Sequence, residues 1–417
     1  MAVELIVLGA GMVGTCTALQ LVLRGHTVTL IDRREPGRET SYGNAGIIQC
    51  DAAEPYPFPR DIGTLLRMAL RRGAEVNYHL RALPAFIAPL ARYWRNSAPD
   101  RHARLAPAYA SLTQRSVIEH ARLIALVGAD DLVRRDGYRF AYRSPSTLAA
   151  AIDAARASDQ RFGIPHRVLD GDALALAEPA LRQRLAGAIE WIEPWSINDP
   201  GELVSRYARH FVSLGGRLLR GDADSLQQAG SGWRVNTVEG PVSAAHAVLA
   251  LGPWSDAHIR RLGYRFPLFI KRGYHQHFTG GALLQRAMLD ADRGFVMAPM
   301  RQGLRLTTGA EFARLDAAPS PVQLQLATTM ARELLDLGQP VGEPPWLGAR
   351  PCTSDMLPVI GAAPNHPGLW FNFGHSHQGF TMGPVTGRLM ADLIEGTSPV
   401  VDPTPYSPAR FIQSPSH

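Results

Sequence analysis

A glycine-rich turn near the start of the chain constrains the fold more than any other feature. An apolar run, 5–8, comes first and is followed by the glycines Gly9, Gly11 and Gly14. A helical pattern covers Met12–Leu23, and a second apolar run, 27–31, ends at the acidic residue Asp32. This order, with the spacing G-x-G-x-x-G, is typical of a βαβ unit that binds a dinucleotide. The alternative is a glycine turn that binds nothing.

Each part of this turn has a predicted role. Gly9 permits the tight turn, Gly11 lets the backbone approach a pyrophosphate, and Gly14 lets the helix pack closely on the strand. The helix start offers free N–H groups and a positive dipole end to phosphates. Asp32 would accept hydrogen bonds from a ribose hydroxyl and would repel a 2′-phosphate, although two arginines follow it. The pattern therefore favours FAD or NAD over NADP.

Composition excludes several classes of protein. The length of 417 residues predicts two or three domains, and 46% hydrophobic residues allow a large core. A net charge of +6 is too mild to indicate a nucleic-acid partner. The widely spaced Cys16, Cys50 and Cys352 match no metal or disulfide pattern. No apolar run reaches the ~20 residues of a membrane span, so we expect a cytoplasmic protein, or one peripheral on the inner membrane face.

The rest of the chain mixes helices with short strands. Residues 33–60 have the composition of loops, and 61–128 are mostly helical in pattern. We predict strands at 138–142, 217–219, 233–238 and 247–251, several more over 266–312, and helices over 146–162, 200–215, 320–337 and 384–396. This alternation predicts an α/β fold in which a nucleotide-binding domain is interleaved with a sheet-rich domain.

Five further segments carry a family resemblance. They are E-T-S-Y-G-N-A-G-I-I (39–48), V-L-A-L-G-P-W-S (248–255), K-R-G-Y-H (271–275), G-A-R-P-C-T-S-D-M-L-P-V-I-G (348–361) and G-H-S-H-Q-G-F-T-M-G-P (374–384). With the first glycine motif, they resemble the D-amino acid oxidase superfamily of FAD proteins over nearly the whole chain. The similarity is greatest to the D-amino acid dehydrogenase (small subunit) branch, with glycine oxidase as a cousin.

The resemblance implies two interleaved domains and a site for FAD. The implied Rossmann-like FAD-binding domain covers 1–80, 146–186, 200–262 and 346–417, and the implied substrate-binding domain covers 81–145, 187–199 and 263–345. The implied FAD contacts, from the pyrophosphate and ribose to the flavin edge, are Gly9, Gly11, Met12, Val13, Gly14, Asp32, Arg33, Thr40, Ser41, Asn44, Ala45, Gly46, Ile47, Ala223, Gly252, His375, Gly379, Phe380, Thr381 and Met382. Some relatives attach flavin to a cysteine a few residues upstream of Cys352, so we expect non-covalent FAD here.

On the substrate side, the resemblance assigns the carboxylate contact to Arg350, in the segment G-A-R-P. A planar guanidinium offers two parallel donors, which a lysine does not. His377 stands where glycine oxidase has a second arginine, and it either bonds the substrate or only completes its loop. Tyr274 and His275 alternate along a predicted strand, so at most one of them points inward. We favour Tyr274, against a packing role.

Two residues on this side make the chain unusual. Lys271 is the only lysine, which indicates either a contact near the flavin or chance. Val296 stands where glycine oxidase has a carboxylate-binding tyrosine, so we expect a different substrate pocket. A larger, more apolar or cyclic amino acid, such as D-proline or a hydroxyproline epimer, would suit that change.

The implied reaction is the oxidation of a D-amino acid. The α-hydrogen passes as hydride to flavin N5, and water hydrolyses the imino acid to the 2-oxo acid; such a transfer needs orientation rather than a side-chain base. Electrons would pass to a quinone or to oxygen, with or without partner subunits. An Arg-flanked apolar segment, 83–94, would either contact an anionic membrane or pack on the core. Alternatives are oxidation of glycine, sarcosine, a hydroxyproline epimer or a 2-hydroxy acid, and a non-catalytic flavoprotein subunit.

Overall fold

The predicted βαβ unit is present at the start of the fold. The computed structural model describes residues 2–69 and 74–412. Strand β1 (Glu4–Leu8) leads into helix α1 (Met12–Leu23) and then into strand β2 (Thr27–Asp32), which pairs with β1 in parallel. The turn after α1 contains Gly25 at a φ of +82°, a conformation that favours glycine. The prediction of a βαβ unit is confirmed.

Helices and strands alternate along the rest of the described chain. The further helices are α2 (Ile62–Ala69), α3 (Leu83–Asn96), α4 (Pro99–Thr113), α5 (Ser116–Val127), α6 (Pro145–Phe162), α7 (Gly171–Ala177), α8 (Pro200–Ser213), α9 (Ser255–Arg261), α10 (Val322–Leu334) and α11 (Gly379–Glu395). The further strands are β3 (Ile47–Ile48), β4 (Val76–Tyr78), β5 (Val133–Arg134), β6 (Tyr138–Tyr142), β7 (His166–Asp170), β8 (Gly187–Trp191), β9 (Trp195–Ile197), β10 (Arg217–Ala229), β11 (Gly232–Thr237), β12 (Gly240–Ala244), β13 (His246–Leu249), β14 (Leu268–Gly280), β15 (Met288–Asp290), β16 (Phe295–Met300), β17 (Gly303–Thr307), β18 (Ala310–Phe312), β19 (Gly338–Thr353), β20 (Val359–Ala362) and β21 (Leu369–Phe373). None of the described helices is long and apolar enough to cross a membrane.

The first sheet has a parallel centre that is covered on both faces. Its described strands run in the order β12-β11-β10-β2-β1-β13-β21-β20, and the five from β10 to β21 are parallel to one another. Leu5 and Val7 of β1 pack into the same core cluster as side chains of α1 and α11. Ile6 and Leu8 pack into a separate cluster on the opposite face. This double burial explains why the run 5–8 is apolar at every position.

The second sheet is largely antiparallel and contains buried charges. Its described strands run in the order β4-β18-β14-β17-β16-β15-β6-β8-β7, and β19 pairs with β14. Arg272 pairs with Glu311 at 2.6 Å and Arg139 pairs with Glu190 at 2.7 Å, all four side chains being nearly inaccessible. Buried charges persist when they are paired, so these arginines serve the fold. A small sheet, β3-β9-β5, completes the α/β architecture, and the predicted fold class is confirmed.

Several strands differ from the prediction. The strand expected at 217–219 continues through the whole of β10, and β7, β8, β20 and β21 were not predicted. Nor was β19, which is rich in proline. Among the described strands it pairs with β14 alone, apart from a single bridge between Cys352 and His375, and an edge position tolerates proline because no second neighbouring strand requires an N–H there. Two of the predicted domain limits also cut across the second sheet, since β7 lies within 146–186 and β19 crosses residue 346.

The last helix begins earlier than predicted. Helix α11 starts at Gly379, whereas its predicted start is near Pro384. A proline inside a helix lacks the N–H that would bond the carbonyl four residues before it, here that of Phe380. His120 of α5 replaces this N–H, because its Nε2 donates to the Phe380 oxygen at 3.0 Å. The partner is remote in sequence, so the local pattern gave no sign of it.

Candidate functional site

A cavity of about 1140 Å³ joins the two sheets. On one side it is lined by residues that follow the carboxyl ends of β1, β2, β13 and β21, the edge at which open α/β sheets bind their ligands. On the other side it is lined by residues of β14, β17 and β19. Its volume exceeds the several hundred Å³ of a typical small-molecule pocket, which suits a large cofactor together with a small substrate.

Most of the predicted FAD contacts line this cavity. They are Gly9, Gly11, Met12, Val13, Asp32, Arg33, Thr40, Ser41, Asn44, Ala45, Ile47, Ala223, Gly252, His375, Gly379 and Phe380. Gly14, Gly46, Thr381 and Met382 do not line it and lie in the layer behind. Thr381 of this layer donates through Oγ1 to the Ile47 oxygen at 3.3 Å, so it connects the start of α11 to β3.

The nucleotide end of the cavity, which we define by Gly9, Gly11 and Asp32, is built by close approach of backbones. Gly9 has a φ of +105°, and a Cβ there would lie 2.4 Å from the oxygen of Ala250. A Cβ on Gly14 would lie 1.8 Å from the oxygen of Gly9. Only glycine therefore allows β1, α1 and the end of β13 to meet. The resulting space in front of α1 fits a pyrophosphate facing a helix N-terminus.

Asp32 is held at the end of β2 by backbone donors. Its Oδ2 accepts from the Ala10 N–H at 2.6 Å, and its Oδ1 accepts from the Arg34 N–H at 3.0 Å. Each carboxylate oxygen keeps a lone pair, so Asp32 can still accept from a ribose diol in the cavity. Arg33 extends beside it over the Trp254 ring, 4.3 Å from the centroid. Asp32 and Arg33 both line the cavity, and their contacts to the adenosine half of FAD stay a prediction.

A buried arginine that the sequence gave no reason to single out supports the loop after β2. Arg305 Nη1 donates to the carbonyls of Tyr42 and Asn44, at 2.8 and 2.5 Å. Burial lowers the pKa of Arg305 to about 10, so the guanidinium stays charged at neutral pH. The same loop is tied to β19, because Thr40 Oγ1 donates to the Ala349 oxygen at 3.1 Å. Arginine is abundant in this chain, so Arg305 had no distinguishing signal.

Arg350 faces the cavity with its guanidinium over the backbone of β14. Its Nη1 donates to the Gly309 oxygen at 2.8 Å and its Nη2 to the Thr308 oxygen at 3.2 Å. A Cβ on Gly273 would lie 2.6 Å from Nη2, so the glycine of K-R-G-Y makes room for the guanidinium. Among the side chains that the structure describes, no carboxylate forms an ion pair with Arg350, and burial lowers the pKa of its guanidinium.

Lys271 and His377 lie beside Arg350, and we define these three residues as the cationic end of the cavity. Lys271 Nζ lies 3.4 Å from the Tyr93 hydroxyl, and it also stands over the rings of Tyr93 and Phe269. Burial, with the nearby charge of Arg350, lowers the pKa of Lys271. Burial and these two cations lower the pKa of His377 to about 3. His377 is therefore a neutral hydrogen-bonding group at pH 7.

The two neighbouring candidates on β14 face opposite ways. Tyr274 lines the cavity, but its hydroxyl is already engaged, donating to Glu311 at 3.3 Å and accepting from the Ser320 N–H at 2.6 Å. His275 does not line the cavity and stacks on Trp346, with the ring centroids 4.8 Å apart. His275 therefore packs behind the site.

A series of hydrogen-bonded polar side chains along the cavity was not predicted from the sequence. Gln378 donates to Gln49 at 3.0 Å, Gln49 donates to the Tyr138 hydroxyl at 2.7 Å, and that hydroxyl donates to Asp51 Oδ2 at 3.1 Å. Asp51 lines the cavity, its Oδ1 has no hydrogen-bond partner within the described residues, and burial raises its pKa to about 7. The sequence signal that was available is Gln49 and Asp51, which follow G-N-A-G-I-I on either side of Cys50.

Comparisons with known proteins agree with this geometry. A family model described as "DAO: FAD dependent oxidoreductase" matches residues 4–393. The chain is 30% identical to a D-amino-acid oxidase of Bradyrhizobium diazoefficiens over 97% of its own length and 98% of the relative. It is 31% identical to a D-amino acid dehydrogenase of Dechloromonas aromatica, over 95% and 98%. Its fold matches glycine oxidase from Geobacillus kaustophilus with a TM-score of 0.72 and 22% identity, over 99% of this chain and 100% of that one. The chain therefore belongs to the DAO family of FAD-dependent oxidoreductases.

Proposed function

We propose that the protein oxidises a D-amino acid at its α-carbon. A hydride leaves the Cα–H bond for an acceptor and a proton leaves the N–H bond, two electrons and two protons in total, and water converts the resulting imino acid into a 2-oxo acid and ammonia. The observation that carries this proposal is Arg350, a guanidinium that faces the cavity without a carboxylate partner in the described chain. The names of the relatives support the D configuration.

FAD, when bound, supplies the hydride acceptor. We propose that Gly9, Gly11 and the start of α1 hold its pyrophosphate, that Asp32 holds its ribose, and that the start of α11 faces the pyrimidine edge of the ring. Cys352 also lines the cavity, but its thiol points to the Arg350 oxygen at 3.7 Å, and we propose non-covalent binding. Acid precipitation should therefore leave the flavin in the supernatant; flavin that stays with the precipitate would contradict this.

The residues of the cationic end would orient the substrate. Arg350 would hold the α-carboxylate through parallel N–H donors, which fixes the direction of the Cα–H bond. His377 is neutral and would add one hydrogen bond without adding charge. Hydride transfer from a neutral amine requires no further side-chain base, which is consistent with an apolar pocket wall that includes Val296 and Phe312.

The electron acceptor is proposed to be a quinone that the protein meets at a membrane surface. Helix α3 packs on the core through Phe86 and Tyr93 but leaves Ile87 and Trp94 exposed, with 66% and 44% of their surface accessible. Arginines flank this exposed apolar face. Co-sedimentation with anionic but not with neutral vesicles, together with faster reduction of a soluble quinone than of oxygen, would support the proposal.

The first test is an anaerobic visible spectrum of the purified holoprotein with D-proline, D-alanine and their L-enantiomers. Bleaching of the flavin band by a D-enantiomer alone is the expected result. Bleaching by an L-enantiomer would overturn the stereochemistry. Bleaching only by glycine, sarcosine, a hydroxyproline epimer or a 2-hydroxy acid would change the substrate class. A flavin that dithionite reduces and none of these compounds does would indicate a non-catalytic subunit.

A further inference from the structure

The cationic end holds two charges that one substrate carboxylate cannot neutralise. Lys271 and Arg350 are direct partners in the antiparallel pairing of β14 and β19. Side chains of opposed residues project from the same face of a sheet, with Cβ atoms ~4.5–5.5 Å apart. Both line the cavity, and neither forms an ion pair with a carboxylate among the side chains that the structure describes. Elsewhere in this sheet, buried Arg272 and Arg139 do have carboxylate partners.

We propose that Lys271 binds a second carboxylate, so that the enzyme prefers acidic D-amino acids such as D-aspartate and D-glutamate. Arg350 would take the α-carboxylate and Lys271 the side-chain carboxylate. The proposal rests on the proposed function and narrows its substrate class.

Charge balance in the cavity supports this choice. A monocarboxylate amino acid brings one negative charge, and its own amino group adds a positive one when protonated. Lys271 would then remain buried without a counter-ion, which is unfavourable where water is excluded. His377 adds no charge at neutral pH, so it supplies no compensation. A second carboxylate supplies it.

The surroundings of Lys271 leave donors available for that carboxylate. An ammonium has three N–H donors, and the polar contact described for Lys271 is the Tyr93 hydroxyl. That hydroxyl donates its own hydrogen to the Tyr56 oxygen at 2.5 Å, so it accepts from Lys271. The Tyr93 and Phe269 rings position the ammonium without neutralising it. Because Lys271 and Arg350 are opposed on neighbouring strands and both line the cavity, one ligand with two carboxylates on a short carbon chain would be able to contact both.

The decisive variant is Lys271→Met, which keeps the length of the side chain and removes its charge, with Lys271→Arg as the matched control. We expect kcat/KM of the wild type for D-aspartate to exceed that for D-asparagine, its neutral analogue of the same shape, by at least tenfold. In Lys271→Met this ratio should fall towards one, and in Lys271→Arg it should largely persist. A wild-type ratio near one would overturn the proposal.

A binding measurement without turnover separates this proposal from the proposed function. The holoenzyme is titrated with succinate and with its monoamide, succinamate, at constant ionic strength, and the flavin spectrum reports binding. Succinate should bind at least tenfold more tightly in the wild type and lose this advantage in Lys271→Met. If this result holds while no D-amino acid reduces the flavin, the proposed function fails and the dicarboxylate site stands. If Lys271→Met weakens both ligands equally and lowers the flavin reduction potential, Lys271 is a partner of the cofactor, and the proposal fails.

Discussion

The two ends of the cavity are built in different ways. At the nucleotide end, Gly9 and Gly14 work by having no side chain, and the surfaces offered to a ligand are backbone N–H groups and one anchored carboxylate. At the cationic end, the surfaces are the charged tips of Lys271 and Arg350, held in place by a hydroxyl and by backbone carbonyls. Ligand binding at the nucleotide end should depend on steric fit. Ligand binding at the cationic end should depend on the positive charges of Lys271 and Arg350, for which the described side chains provide no carboxylate partner.

This difference has a consequence for substitution. A steric end fails when any atom is added, whatever the chemistry of that atom. An electrostatic end fails when a charge, or the set of N–H donors that carries it, is removed. The first two predictions below test that contrast directly, and the last two test polar groups outside both ends; they run from the largest expected effect to the smallest.

Gly14→Ala should abolish the nucleotide end. The added Cβ would lie 1.8 Å from a backbone oxygen that has no room to move, so we expect unfolding free energy to fall by more than about 3 kcal/mol and bound FAD to fall at least tenfold. Gly25→Ala is the matched control in the same βαβ unit. Gly25 has a positive φ of +82°, unlike Gly14, but no atom lies near its Cβ position, so the substitution should cost about 1 kcal/mol and keep bound FAD. Flavin absorbance per chain and denaturant unfolding measure both; equal effects would refute the steric account.

Arg350→Met should break the cationic end without emptying the nucleotide end. Loss of two charged hydrogen bonds to the substrate, worth about 1.5–3 kcal/mol each, should lower kcat/KM by two orders of magnitude or more. Bound FAD per chain should stay the same. Arg350→Lys keeps the charge but not the planar pair of donors, so it should recover only part of the loss. Full activity in Arg350→Lys would show that a positive charge alone is enough to bind the substrate carboxylate at this position.

His120→Phe should weaken the start of α11, which lies between the two ends. The ring keeps its approximate shape, but the Phe380 carbonyl loses its donor, and an unpaired buried carbonyl costs about 1–3 kcal/mol. Adding Pro384→Ala supplies the missing helical N–H and should restore part of that loss. A double-variant cycle by denaturant unfolding measures the coupling, and strictly additive effects would contradict this role for His120.

Asp51→Asn should alter the pH dependence of stability. The folded-state pKa of Asp51 is about 7, whereas an unfolded aspartate titrates near 3.8. As pH rises between these values, the unfolded chain releases a proton that the folded chain retains, so the wild type loses stability and Asp51→Asn does not. Melting temperatures at pH 5 and pH 8, with saturating FAD, should therefore shift in favour of the variant by about 2–4 °C. A constant difference would mean that Asp51 does not titrate in this range.

Local spacing was enough to predict the βαβ unit from which the nucleotide end is built. Strand β1, the glycines, helix α1 and Asp32 are contiguous in sequence. Gly9 and Gly14 are required because a Cβ at either position would clash with backbone close in the chain or just after the adjacent strand. The K-R-G-Y and G-A-R-P segments pointed to Arg350 only through the family resemblance. No pattern in the neighbouring sequence indicates that Lys271 stands opposite Arg350. Their pairing is set by the register of β14 with β19, and the prolines of β19 prevented its prediction as a strand.

Other features were hidden for the same physical reason. Arg305 supports the loop after β2 from a strand more than 200 residues away, and His120 replaces a helical donor across a similar distance. Asp51 looks like an ordinary loop aspartate until burial removes its solvent. Pattern and propensity describe neighbours along the chain, and these roles belong to neighbours in space.

The position of β1 bears on how the protein is made. It lies between β2, which follows at once, and β13, which emerges about 240 residues later. At about 5–20 residues per second, a ribosome needs on the order of 10–50 s to deliver that second partner. Throughout this interval one apolar edge of β1 is open, and open edges pair readily with other strands. The segment proposed to bind the nucleotide is thus completed only after a strand about 240 residues further along has been synthesised, and the yield of folded enzyme should depend on what shields that edge during translation.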